Sequence, residues 1–151
     1  MELLSRKEAN NLVALGGDDD MAQFLVGFLS AALWTCGDMG LGNQNDSHDT
    51  PMDENYSIID IDDKNQIEMA ELIRPFFEAN QESWNDRDYP DGLAGYDLML
   101  TMAGHGVGFW DRDELKEGAI GDLLTTKVNE MFGYAEPYMY GDGETAFIEV
   151  I

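Results

Sequence analysis

The sequence predicts an α+β fold: N-terminal helices followed by a strand-strand-helix-strand-strand unit that forms one small antiparallel sheet packed by helices. Three observations lead there. Apolar residues recur at helical spacing as far as Trp84. The period then changes to two, with Leu98, Leu100 and Met102 alternating with Asp97, Met99 and Thr101. A further alternating segment ends the chain around a turn at Asp142-Gly143. A length of 151 residues without internal repeats suits a single domain over 1–151, long enough to bury a core.

The elements follow in order. Ser5-Arg6-Lys7-Glu8 has the form of a capping box, opening a short helix to about Leu15 that stops at Gly16-Gly17. Asp18-Asp19-Asp20 places negative charge at the start of a second helix, about 20–36, where the helix dipole favours it. That helix is apolar almost all round, from Phe24, Leu25 and Val26 to Leu33 and Trp34. It is therefore expected either at the centre of the core or half-buried in a homodimer through 20–36. Residues 37–55 lack periodicity and read as a loop long enough to be mobile. Asp63 is placed as the N-cap of a third helix with Gln66 at N3. Ile67, Ala70, Ile73, Phe77 and Trp84 keep its spacing, and Pro75 predicts a kink or break.

After a turn region at Tyr89–Gly95, the period-two segment pairs in a hairpin closed at Gly104-His105. In that register Leu100 faces Phe109, Met102 faces Val107, and Asp97 faces Arg112. A three-residue turn over Gly104-His105-Gly106 is the competing register. Ile120, Leu123, Leu124, Val128, Met131 and Phe132 then make a helical stripe ended by Gly133. Glu136–Tyr140 and Thr145–Val150 form the last hairpin.

Charge bounds the function. The chain carries 31 Asp+Glu against 8 Lys+Arg, a formal net charge of -23, and between Glu8 and Asp63 it has no Lys or Arg. Such self-repulsion costs stability, so the field has a use or the surroundings screen it. It repels nucleic acid and anionic lipid and attracts basic surfaces, above all those of DNA-binding proteins. Direct nucleic-acid binding and a membrane role are therefore not expected. The apolar stretch Phe24–Cys36 is too short to span a bilayer, and the N-terminal residues lack a signal-peptide core. Cys36 is the single cysteine, which suits a reducing, cytoplasmic setting.

Candidate chemistry is sparse. The acids Asp18, Asp19, Asp20, Asp53, Glu54, Asp60, Asp62 and Asp63 are candidate partner-binding groups, standing in for phosphates if they line up as a DNA mimic. Trp110 is a candidate contact residue beside them. A plainer reading gives the same acids a solubilising role. Asp60 to Glu71 partly fits a calcium loop, but Lys64 and Asn65 stand where an oxygen ligand and Gly are wanted. His48, His105 and Cys36 are too scattered for zinc, so no metal and no cofactor are assigned. His105, flanked by glycines, could act as a general base oriented by Asp111 or Asp97, with Thr101 as nucleophile. Gly-His-Gly is equally a plain turn, and Gly108 either a bulge or room for Trp110.

The segment Gly95 to Arg112, GYDLMLTMAGHGVGFWDR, resembles the "DFWLTRNGHGAGFWDR"-like hallmark of small acidic proteins encoded by phages and prophages. Ala31-Ala32-Leu33-Trp34 is similar to their "ALW" helix end, and Pro51 to Ile58 to their "PLDENYSI" segment. Leu98-Met99 and Met102-Ala103 depart from the usual Phe-Trp and Arg-Asn. The resemblance implies a phage-borne origin and no particular chemistry. The expectation is a non-enzymatic accessory protein that binds a basic or DNA-binding host protein, such as a host-defence protein that it inhibits, through clustered carboxylates in the host cytoplasm. Alternatives are an acidic virion-associated or housekeeping domain without inhibitory role, or a small hydrolase centred on His105.

Overall fold

The computed structural model describes residues 19–37, 50–104, 106–133 and 135–150. The expected helix at 5–15, Asp18, most of the 37–55 loop and His105 lie outside them. Among the described residues, four α-helices and one two-stranded antiparallel sheet make up the α+β fold.

Helix α1, Asp19–Thr35, is the central element. Apolar on nearly every side, it buries Phe24, Leu25, Phe28, Leu29, Ala31 and Ala32 against the rest of the chain. Most of the apolar surface of 20–36 is thus covered within one chain, with Trp34 left half exposed. Helix α2, Asp63–Asn85, packs beside it. Its N-cap is Asp62, one residue before the expected Asp63, and the Asp62 carboxylate accepts from the Asn65 N–H at 3.0 Å.

Pro75 lies inside α2 without breaking it. The proline leaves the Glu71 carbonyl without its helical donor. Pro75 and Glu71 both face solvent, where water takes that donor's place. Replacing Pro75 with Ala is expected to restore the bond and raise unfolding free energy by roughly 1–2 kcal/mol. A urea titration checks this, and an unchanged midpoint would show that the missing bond costs nothing there.

Helix α3, Asp91–Ala103, replaces the first expected hairpin. Residues 97–102 are all buried, so the alternation of side-chain type does not mark alternate faces. Glycines settle the element. A Cβ on Gly27 of α1 would stand 1.8 Å from the Gly92 carbonyl oxygen, and one on Gly95 would stand 1.9 Å from that of Phe24. The two helices thus cross backbone to backbone, an approach that requires Gly at both places. Gly104 is not a hairpin turn but the left-handed stop of α3, at φ 63° and ψ 38°. Beyond it the chain makes short 3-10 turns at Phe109–Asp111, Asp113–Leu115 and Glu117–Ala119, then enters α4, Ile120–Phe132.

Strands β1, Pro137–Gly141, and β2, Ala146–Val150, pair in the expected C-terminal hairpin. The Asp142 carboxylate accepts from the N–H groups of Glu144 and Thr145 and shapes its turn. Met139, Ala146 and Ile148 are buried on its inner face. The four-stranded sheet is therefore corrected to two strands, extended by an isolated parallel bridge between Ile61 and Ala146. An aromatic stack of Phe24, Phe76, Trp84 and Phe109 joins α1, α2 and the segment after α3. The rings of Phe24 and Trp84 lie 5.5 Å apart and nearly parallel.

Candidate functional site

The expected Asp97–Arg112 pair forms, although no strand carries either residue. Asp97, on the inward face of α3, is fully buried. Arg112, in the turns after Gly104, donates to its Oδ1 from Nε at 2.9 Å and Nη2 at 2.5 Å. The Tyr89 hydroxyl donates to the other oxygen. Burial pushes the Asp97 carboxyl above its ordinary range, while the bonds from Arg112 and Tyr89 pull it back. Burial also raises Tyr89, as does its bond to Asp97. The bond to Asp97 holds the proton on Arg112. With both carboxylate oxygens engaged, the cluster acts as a clasp pinning the turns after Gly104 onto α3.

The rest of this motif is also built into the fold. Gly108 gives room rather than a bulge: a Cβ there would lie 2.4 Å from the Thr101 hydroxyl and 2.5 Å from the Trp110 ring. Thr101 is buried and accepts weakly from the Phe109 N–H at 3.4 Å, which gives its hydroxyl a structural partner. Trp110 is half-buried, lining a cavity of about 250 Å³ with Leu115, Lys116, Ala119, Gly121 and Asp122. The Cys36 thiol is pushed up to about 11, chiefly by burial, so at neutral pH it stays protonated and unreactive.

The candidate acids do not gather into one surface. Asp19 and Asp20 open α1, and Asp20 accepts from the Gln81 amide at 3.3 Å. Asp53 and Glu54 are exposed on the 3-10 turn Met52–Glu54, beyond the other end of α1. At 1.5 Å per residue the two groups stand about 22 Å apart along that helix. Asp60 bonds back to the backbone N–H and hydroxyl of Ser57, and Asp62 caps α2, so both have local structural work. Asp63 is exposed. The calcium-loop pattern does not close around an ion, because Asp63 to Glu71 are helical.

A row of acids went unnoticed in the sequence. Glu68, Glu71, Glu78, Glu82 and Asp86 are all exposed on the solvent side of α2 and its C-cap. At 3.6 residues per turn they fall within about 80° of one another, and they span about 27 Å. Their spacing of three, seven, four and four residues was the available signal, hidden by the expectation of a kink or break at Pro75. Trp34 was read as part of a helix either central to the core or half-buried in a dimer. It is 50% exposed and stacks on Tyr96 of α3, with ring centres 6.2 Å apart.

Among the described residues, no group of three or more His, Cys, Asp or Glu side chains could hold a metal ion. No described helix is long and apolar enough to cross a membrane. Comparisons with protein-family models, curated proteins and solved structures find no match to this chain.

Proposed function

We propose that the protein is a non-enzymatic accessory protein of phage origin that binds a basic, DNA-binding host protein through carboxylates. The observation that carries the reading is the exposed row on α2. Its five acids over about 27 Å compare with about eight phosphates on one DNA strand of the same axial length. The row is thus sparser than DNA. It suits a basic groove that tolerates spacing better than a site demanding phosphate-by-phosphate mimicry. Charge attraction of this kind is steeply salt-dependent.

The test compares the wild type with a variant in which Glu68, Glu71, Glu78 and Glu82 are all Gln. Each is used to capture proteins from host lysate at low and high salt. The expected result is one stoichiometric DNA-binding protein, held by the wild type at low salt, released by high salt or duplex DNA, and lost from the variant. Equal capture by the variant would overturn the row as the site.

The exposed acids on other elements, among them Asp53, Glu54, Asp113, Glu114 and Asp122, favour a second reading. In it the domain is an acidic virion-associated or housekeeping protein whose surface serves solubility. A scatter of basic proteins captured equally by both forms would select it. The hydrolase reading gains no geometry, because His105 lies outside the described residues and Thr101 is buried.

A further inference from the structure

We propose that Trp34, with Tyr96 stacked beside it, is an anchoring point for an arginine side chain of a protein partner. Large apolar side chains on an isolated domain surface are ordinary when single. A half-exposed Trp stacked on a second aromatic ring is a prepared contact, and Trp, Tyr and Arg dominate interface hot spots.

The surroundings select a cation. Trp34 sits in the last turn of α1, where the helix carries partial negative charge and no basic residue offsets it. The 3-10 turn bearing Asp53 and Glu54 is tied to this end, since the Met52 N–H donates to the Cys36 carbonyl at 3.0 Å. Burial dominates the upward shift of the Tyr96 hydroxyl; among the charges Arg112 acts most and lowers it, while Asp97 and then Asp53 raise it. Arg112 also lies near Tyr96, but Asp97 holds its charge.

A guanidinium fits better than an ammonium. It is planar, less strongly hydrated and stacks on an aromatic face while its edge N–H groups reach a carboxylate. A second copy of this chain fits poorly, because two proteins of net charge -23 repel and each would bring Asp53 to the contact. The partner's identity rests on the basic-protein reading above, whereas the site stands on its own geometry.

The experiment follows the indole N–H signals of the intact ¹⁵N-labelled protein by NMR. The probes are N-acetyl-arginine N-methylamide, its lysine counterpart and the uncharged glycine counterpart, at constant ionic strength. The Trp34 signal is expected to move saturably, further with arginine than with lysine and not with glycine, while buried Trp84 stays still. Asp53→Asn should weaken the arginine response roughly twofold or more, as for an exposed ion pair. Trp34→Ala should abolish the accompanying shift of the Tyr96 ring signals. A still Trp34 signal, or equal movement with all three probes, overturns the proposal. Equal movement with arginine and lysine overturns its guanidinium preference. The four-fold Gln variant of α2 should respond as the wild type does, so failure of the α2 reading and failure of this one are distinguishable.

Discussion

Gly95→Ala is expected to destabilise the domain by roughly 3 kcal/mol or more, at the upper end of overpacking costs. The added methyl would meet the Phe24 carbonyl oxygen at 1.9 Å and its carbon at 2.8 Å. These are backbone atoms inside α1, so no rotamer change relieves the clash and the helices must separate. Separation opens the contact between α1 and α3 along its length. The better helix propensity of Ala returns only about 1 kcal/mol. Gly27→Ala acts on the same crossing, 1.8 Å from the Gly92 carbonyl oxygen. The two effects should therefore not add. The double variant is therefore expected to lose little more than Gly95→Ala alone, leaving part of a total stability of about 5–15 kcal/mol. Urea unfolding followed by far-ultraviolet circular dichroism measures both. A Gly95→Ala protein with the wild-type midpoint would mean that the helices do not cross as closely as described.

Arg112→Ala should cost about 3 kcal/mol at neutral pH, the lower end for breaking a buried pair. The lower end is expected because Arg112 is 32% exposed, so water can enter where its guanidinium lay. The larger part of the cost is the fully buried Asp97, left with Tyr89 as its remaining donor. The pH dependence has a definite sign. Burial already raises the folded-state Asp97 carboxyl above its unfolded value, and removing Arg112 takes away the largest opposing influence. The folded variant therefore binds a proton more tightly than its unfolded chain does. Its deficit relative to wild type should be smallest below the unfolded carboxyl range, about pH 4. It should grow as pH rises through the elevated folded value and then level off. Unfolding free energies of both proteins across mildly acid to mildly alkaline pH test this. A deficit that does not change with pH would show that Asp97 is not the group left unsatisfied.

Parts of this molecule were legible before folding. The span of α1 followed from an apolar run and the acids before it, and those of α2, apart from the kink or break expected at Pro75, and α4 from apolar periodicity. The C-terminal hairpin followed from alternation around Asp142-Gly143. The partnership of Asp97 with Arg112 was legible too, although for the wrong reason. Fifteen residues apart, they meet because Gly104 stops α3 and the chain turns back over it, not because two strands run side by side.

Other parts were not legible. The acidic row emerges only once α2 is known to run unbroken through Pro75, since a break there would turn Glu78 and Glu82 away from Glu68 and Glu71. Trp34 stood in an apolar run that read equally as core or dimer surface, and its exposure depends on where α3 and the Met52–Glu54 turn stop covering α1.

The sequence by itself determined α2, α4 and the last hairpin, whose two sides differ, because a residue buried on one face and wet on the other leaves a period in the chain; α1 it determined through an apolar run too long for a strand. It also determined the charge, which needs no fold. Only the tertiary structure decided that residues 91–103 are a helix. A segment enclosed on every side keeps no polar face to mark its period. What holds it in helical form is contact with Gly27 and Phe24, about seventy residues earlier in the chain.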